Sequence, residues 1–329
     1  MEEKNFKFDY LSHMVRLSKG YMASRIFLTA VELGVFRKIG NAGETAAGIA
    51  GRLRTDKRAT EILLNALASM YLLEKKDDKF FSVKEVVELL FPNGGHNSGG
   101  QFDHTANLWE LWSSLTHTVK TGRPKDRVWR EEISVDLALA MKSQTDQMAD
   151  ILTNSVDCYN INTMLDLGGG AGACGIAFAK CYPHLQVEIF DNDEQALGIA
   201  IKEVLQQNLQ DRITVKKGDF FTDDFGKNYD LALLSSIICL FGKKQNAFLL
   251  KKINHSLRLG GRVVVWDMIL DESKTAPATA AIFAVNMLLN TQNGRSYSFP
   301  EVKALFQAAG FKDICRTPIM PSQLLIARK

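Results

Sequence analysis

The sequence is short of the features that would place it in a special class. Its five cysteines, Cys158, Cys174, Cys181, Cys239 and Cys315, are odd in number and scattered, with no Cys-x-x-Cys pair. That argues against a disulfide framework or a zinc site and predicts reduced thiols. Neither sign of charge dominates. Lys and Arg number 40 against 37 Asp and Glu, a net of +3, too little for a whole-surface grip on nucleic acid. The longest strongly apolar stretch, residues 231–241, is interrupted by Ser235 and Ser236 and is too short to span a bilayer. Met1-Glu-Glu-Lys-Asn5 is not followed by an apolar signal core, so a cytoplasmic protein without membrane contact is expected. Internal repeats and low-complexity tracts are absent.

What remains is an ordinary globular composition, 46% hydrophobic and 23% charged over 329 residues. A prior of roughly 150 residues per domain suggests two domains. A chain of this length buries a core without staples.

The first part reads as helical. Apolar residues recur at helical spacing from Tyr10 to Phe36 over so wide an arc that one helix buried on more than one side is expected. A second subunit is a natural cover. A short helix at 45–53, a turn at Arg54-Thr55-Asp56, a helix at 57–71 capped by Asp56 and a hairpin returning through 80–83 follow the order of a winged helix-turn-helix. The Gly-rich stretch 92–100 reads as a linker. Two further helices, 102–121 and 135–156, carry Trp109, Trp112, Met141 and Met148. From residue 162 onward, short apolar runs at 163–167, 186–190, 213–216, 231–235 and 262–267 alternate with helical segments at 173–181, 193–207 and 244–257. That alternation predicts an α/β fold, a mostly parallel sheet covered on both faces. The expected division is a winged-helix dimerisation domain at 1–95 and a second domain at 101–329, with a helical segment at 101–160 and a Rossmann-like core at 161–329.

Met164-Leu-Asp-Leu-Gly-Gly-Gly-Ala-Gly172 is the most informative stretch. Asp166 precedes Gly168, Gly170 and Gly172 at a strand-to-helix turn, where glycine permits positive φ and close approach of a ligand. Alone, it fits a tight turn or a dinucleotide loop equally. One strand later comes Phe190-Asp191, an acid placed for ribose hydroxyls. One strand later again comes Gly218-Asp219-Phe220, an acid and an aromatic suited to an adenine ring. Two acids after the loop, with no Walker lysine, suit a nucleoside without phosphate. S-adenosylmethionine, a cationic sulfonium nucleoside, fits this pattern.

From about Asp9 to the C-terminus the chain resembles the class I S-adenosylmethionine-dependent methyltransferases. More narrowly, it resembles the small-molecule O-methyltransferases with an N-terminal winged-helix dimerisation domain, a group typified by caffeate, polyketide and hydroxyindole O-methyltransferases. The stretches 30–36, 164–172, 190–191, 218–220, 259–267 and 309–311 carry the resemblance. It implies a homodimer formed through the N-terminal domain and a small-molecule acceptor. It implies that Asp166, Gly168, Gly170, Asp191, Asp219 and Phe220 hold the cofactor, with Ser235 near its tail. The acceptor pocket would be walled by Phe102, Trp109 and Trp112, by Met141 and Met148, and by Asn286 and Met287.

The family places a histidine base, followed by aspartate and tryptophan, just after the fourth strand. The matching segment here is Ser236-Ile-Ile-Cys-Leu-Phe241, with Cys239 at the histidine position. Ser296 stands where some members carry a base-orienting glutamate, and Asp267 is the matching acid that survives. Methyl transfer needs no acid for its leaving thioether, whereas a phenol gains roughly 10²–10⁴-fold from a positioned base. Cys239 is a poor substitute, because a thiolate would itself be methylated. Three acceptor classes follow. An electron-rich carbon or an already acidic hydroxyl would need little base. Otherwise Asp267 or His104 supplies it. A carbon-methylating branch resembling the bacteriochlorophyllide methyltransferases also lacks the histidine and keeps a planar macrocycle in view. Two other readings compete: a non-methylating relative that binds the cofactor, and a winged-helix DNA-binding regulator using Arg52, Arg54, Lys57 and Arg58.

Overall fold

The computed structural model describes residues 9–40, 42–91, 100–125 and 131–329. The expected linker at 92–100 lies outside them except for Gly100. The chain separates into two compact units, residues 1–106 and 107–329.

In the first unit, Asp9 caps α1 (Tyr10–Glu32) by accepting from the Ser12 N–H at 3.1 Å. The single helix expected through Phe36 breaks at Leu33-Gly34. Gly34 is left-handed, with φ 71°, and a short α2 (Val35–Lys38) restarts beyond it. Within one chain α1 is not buried on several sides. Leu28 and Ala30 are buried, whereas Tyr10, Leu11, Met14 and Leu17 are exposed. A two-residue strand β1 (Glu44–Thr45) precedes α3 (Ala46–Leu53), which Thr45 caps. Asp56 caps α4 (Lys57–Ser69) by accepting from the Ala59 N–H at 2.8 Å, the expected signal. The hairpin β2 (Leu73–Lys76) and β3 (Lys79–Ser82) follows, and β1 extends it to three strands. An unanticipated α5 (Lys84–Leu90) comes next. Ile49, Leu64, Leu67 and Phe80 form the core of this winged helix. Of its basic cluster, Arg52 is paired with Glu44 and Arg54 takes a left-handed conformation at the end of α3.

The expected helix 102–121 is two helices, α6 (Gln101–Ser113) and α7 (Leu115–Thr121), separated at Ser114. In the second unit α8 (Glu131–Ser155) leads into the sheet. Its elements are β4 (Thr163–Leu167), α9 (Ala173–Cys181), β5 (Gln186–Asp191), α10 (Glu194–Gln206), β6 (Ile213–Lys217), β7 (Tyr229–Ser235), α11 (Lys243–Ser256) and β8 (Leu257–Asp267). Then come α12 (Ala278–Asn290), α13 (Phe299–Ala308), β9 (Lys312–Ile319) and β10 (Ser322–Arg328). The strand order is β6-β5-β4-β7-β8-β10-β9. The first five strands are parallel, and the last two are antiparallel additions. Alternate residues feed two cores, Leu231, Leu233 and Val264 on one face and Ala232, Leu234 and Val265 on the other. The chain reverses its direction of travel across the sheet between β4 and β7. In such sheets a crevice opens there, at the carboxyl ends of the strands.

Candidate cofactor and acceptor site

The glycine loop leaves β4 at that crevice. Gly168 donates its N–H to the Phe190 carbonyl at 2.7 Å, and its φ is 73°. A Cβ there would collide with the Ile237 side chain and lie 3.3 Å from the Phe220 ring, so the loop runs against both. Gly170, at φ 51°, faces open space, with only an Asp191 oxygen as near as 4.0 Å to a built Cβ. The Asp191 Oδ2 accepts from the Gly170 N–H at 2.9 Å, and its Oδ1 accepts from the Asp193 N–H at 2.9 Å. Burial raises the Asp191 pKa despite those bonds. Beneath the loop, Asp166 is fully buried. Its Oδ2 accepts from the Gly175 N–H at 2.9 Å, while Oδ1 is buried without a donor among the described residues. Burial pushes its pKa to about 7.

Beyond β6, Asp219 is half-buried and folds its own turn, its Oδ1 accepting from Phe221 N–H at 2.7 Å and Thr222 N–H at 3.1 Å. The bond from Phe221, with help from Thr222, lowers its pKa. The buried Phe220 ring lies 6.3 Å from Phe190 and 6.2 Å, edge-on, from Phe241. Ser235 ends β7, half-buried. The structure thus brings together the glycine loop, Asp166, Asp191 and Phe220, with Ile237 and Phe241 closing in from the segment after β7. An open cradle over Gly170, an orphaned carboxylate oxygen and a second carboxylate beside it suit a cationic nucleoside. They suit a polyphosphate poorly.

On the acceptor side, Cys239 sits in a 3-10 turn (Ile238–Leu240). Its thiol donates to the Ser236 carbonyl at 3.3 Å and its N–H to the Asp267 Oδ2 at 3.2 Å. Asp267 Oδ1 accepts from the Met268 N–H at 2.7 Å. Burial raises the Asp267 carboxyl to about 6 and the Cys239 thiol well above its usual range. The turn is braced from three directions. Asn246 donates to the Ile238 and Phe241 carbonyls at 2.8 and 3.1 Å, and the Tyr297 hydroxyl donates to the Phe241 carbonyl at 2.6 Å. The Arg295 N–H donates to the Cys239 carbonyl at 2.8 Å. Ser296 spends its hydroxyl on the Ala280 carbonyl, 3.1 Å away. Asn246 and Tyr297 carried no motif in the sequence. Their partners are main-chain carbonyls, which leave no pattern in residue type.

The indole N–H of Trp112 donates to the Asn286 side-chain oxygen at 3.2 Å, joining α6 to α12. Met287 is buried on α12, Trp109 is half-buried, Met141 is 38% exposed, and Met148 packs against the sheet core. Phe102 and His104 belong to the first unit, where Phe102 lies edge-on to Phe27 at 5.0 Å. Among the described residues, no group of three or more His, Cys, Asp and Glu is placed to hold a metal ion, and no helix is long and apolar enough to cross a membrane.

Two family models match the chain, the O-methyltransferase domain over residues 112–312 and the O-methyltransferase dimerisation domain over residues 15–92. A 3-hydroxy-5-methyl-1-naphthoate 3-O-methyltransferase of Streptomyces sahachiroi is 28% identical over 307 residues, 91% of this chain and 88% of the relative. An L-tyrosine C(3)-methyltransferase of Streptomyces lavendulae is 26% identical over 309 residues, 89% of this chain and 84% of the relative. The fold matches human N-acetylserotonin methyltransferase in complex with SAM, at a TM-score of 0.84, 22% identity and 99% coverage of both chains. With matched models spanning both units, the chain belongs to the O-methyltransferase family.

Proposed function

We propose that this chain transfers a methyl group from S-adenosylmethionine to an oxygen or a ring carbon of a small, planar aromatic acceptor. It would do so as a homodimer formed through its first 95 residues. The observation that carries the cofactor assignment is the bond from the Gly170 N–H to the Asp191 Oδ2, 2.9 Å long, beside the open space over Gly170. Bound there, S-adenosylmethionine supplies a methyl carbon on a sulfonium whose thioether departs without a proton. Asp191 offers its remaining lone pairs to the ribose hydroxyls. Asp219 and Phe220 take the adenine, and Ser235 and the orphaned Asp166 oxygen face the amino-acid tail.

The acceptor assignment rests on apolar walls with few polar groups and on the relative named for a hydroxynaphthoate. Trp112 and Asn286 would orient the acceptor. No histidine occupies the segment from Ser236 to Phe241. Cys239 there is a buried, neutral thiol, and both Asp267 oxygens are engaged by main-chain N–H groups. Proximity and orientation, worth roughly 7–11 kcal/mol in favourable cases, would then carry most of the rate. The relative named for carbon methylation makes a ring carbon an acceptable nucleophile in this family.

Methyl-tritiated S-adenosylmethionine, incubated with the protein and a small-molecule extract of its source cells, tests the reading. Label in an organic-extractable product supports it, and NMR of that product distinguishes carbon from oxygen. Absence of transfer, with cofactor binding verified by calorimetry, would instead favour a non-methylating relative.

A further inference from the structure

We infer that Lys252, on α11, is a positioning residue that sets the adenine platform Phe220 and thereby the affinity for the cofactor. This rests on the assignment of Phe220 and Asp219 to the adenine.

The Lys252 ammonium donates to the Phe220 carbonyl at 2.9 Å and to the Asp223 carbonyl, and it lies 4.0 Å from the centroid of the Phe225 ring. All three contacts fall on the segment between Asp219 and Phe225. Its rings pack on Phe190 and Phe241, and the Tyr229 hydroxyl donates to the Phe225 carbonyl at 2.8 Å, but the other polar ties of the turn are mostly internal. The Asp223 N–H donates to the Asp219 carbonyl at 3.1 Å, and the Asp219 N–H to the Asp223 Oδ2 at 2.8 Å. Lys216 donates to the Asp224 carbonyl at 3.1 Å, at the far end from Phe220. Asp219, Asp223 and Asp224 place three negative charges on this short turn, and Lys252 brings a cation beside all three. Losing that cation releases the Phe220 carbonyl and lets the carboxylates repel one another. Lys252 is half-buried, so its bond to the Phe220 carbonyl is less screened than one on the open surface.

The same helix fixes what Phe220 leans on. Phe220 meets Phe241 edge-on at 6.2 Å, and Asn246, six residues before Lys252, holds the Phe241 carbonyl. Two positions of α11 therefore anchor the backbone of both rings in that contact.

Binding of S-adenosylhomocysteine and of adenosine to the full-length protein, measured by calorimetry, tests this. Lys252→Met is expected to weaken both about tenfold or more. Lys252→Arg, which keeps the cation and its donors, should restore both to within about threefold of the parent. Lys251→Met, removing an exposed charge from the next position, should change neither. If Lys252→Met does not fold, Lys252→Gln takes its place, with the same loss expected. Parent-like binding by a folded Met or Gln variant, while Phe220→Ala weakens binding, would overturn the role of Lys252 alone. So would a loss that arginine fails to rescue. Parent-like binding by Phe220→Ala itself would overturn the adenine assignment beneath it.

Discussion

The buried carboxylate of Asp267 accepts the N–H of Cys239 at 3.2 Å, so the acid that closes β8 holds the turn that carries the thiol. Its other oxygen is taken by the Met268 N–H at 2.7 Å. This arrangement makes Asp267 a brace for the turn and Cys239 part of its wall. Cys239→Ser keeps the size and the donor to the Ser236 carbonyl. Most methyl transfer should survive in a radiolabel assay. A drop of about a hundredfold or more, with cofactor binding intact, would make the thiol catalytic.

Burial of Asp267 and Asp166 has a consequence for stability. Their carboxyls titrate near 6 and 7, above the ordinary 3.8. Between about pH 4 and pH 7 the folded chain therefore holds protons that the unfolded chain has released, and stability falls as pH rises through that window. The effect is at most ~3 kcal/mol for Asp267. Glu301 does not interfere: burial opposes its ionisation, but bonds from Ser298, Lys274 and Lys243 hold it at about 2. Urea melts at pH 4.5 and pH 8 should show the parent losing stability on the alkaline side and Asp267→Asn losing less. Equal pH slopes would refute the assignment.

Asp191 ties the end of β5 to the glycine loop through Gly170 and to the start of α10 through Asp193. Asp191→Ala removes both acceptors and the carboxylate proposed for the ribose. Affinity for S-adenosylhomocysteine should fall about tenfold or more, and Asp191→Asn, which retains one acceptor, should fall less. Unchanged affinity in the alanine variant would overturn the ribose assignment.

Much of this site was legible because it is built where a strand becomes a turn. The apolar run at 163–167 coincides with β4, and its glycines announce a backbone that must bend sharply. The acids at the ends of β5 and β6 follow at strand spacing. Other parts were hidden for identifiable reasons. The mostly exposed edge strand β9 carries Lys312, Arg316 and Pro318 in place of an alternating apolar pattern. α12 presents apolar residues around most of its circumference, so periodicity does not mark its buried face. Ser114 separates α6 from α7 without glycine or proline. Lys252 and Asn246 act through main-chain carbonyls of Phe220, Asp223, Ile238 and Phe241. Only the folded chain brings Lys252 to residues some thirty positions before it.

The glycine loop itself separates folding from ligand binding. Gly168 and Gly170 both have positive φ, 73° and 51°, so alanine at either costs about 1 kcal/mol or more in backbone strain. Their surroundings differ. A methyl at Gly168 meets Ile237 and crowds Phe220, inside the packed wall of the site. A methyl at Gly170 meets nothing closer than 4.0 Å, because it enters the space proposed for the cofactor. Gly168→Ala should therefore lower the melting temperature strongly as well as impair binding. Gly170→Ala should cost only the backbone strain yet weaken S-adenosylhomocysteine binding at least about tenfold. Thermal melts with and without ligand distinguish the two. A Gly170→Ala protein that melts near the parent and is still stabilised normally by the ligand would place the cofactor elsewhere in the crevice.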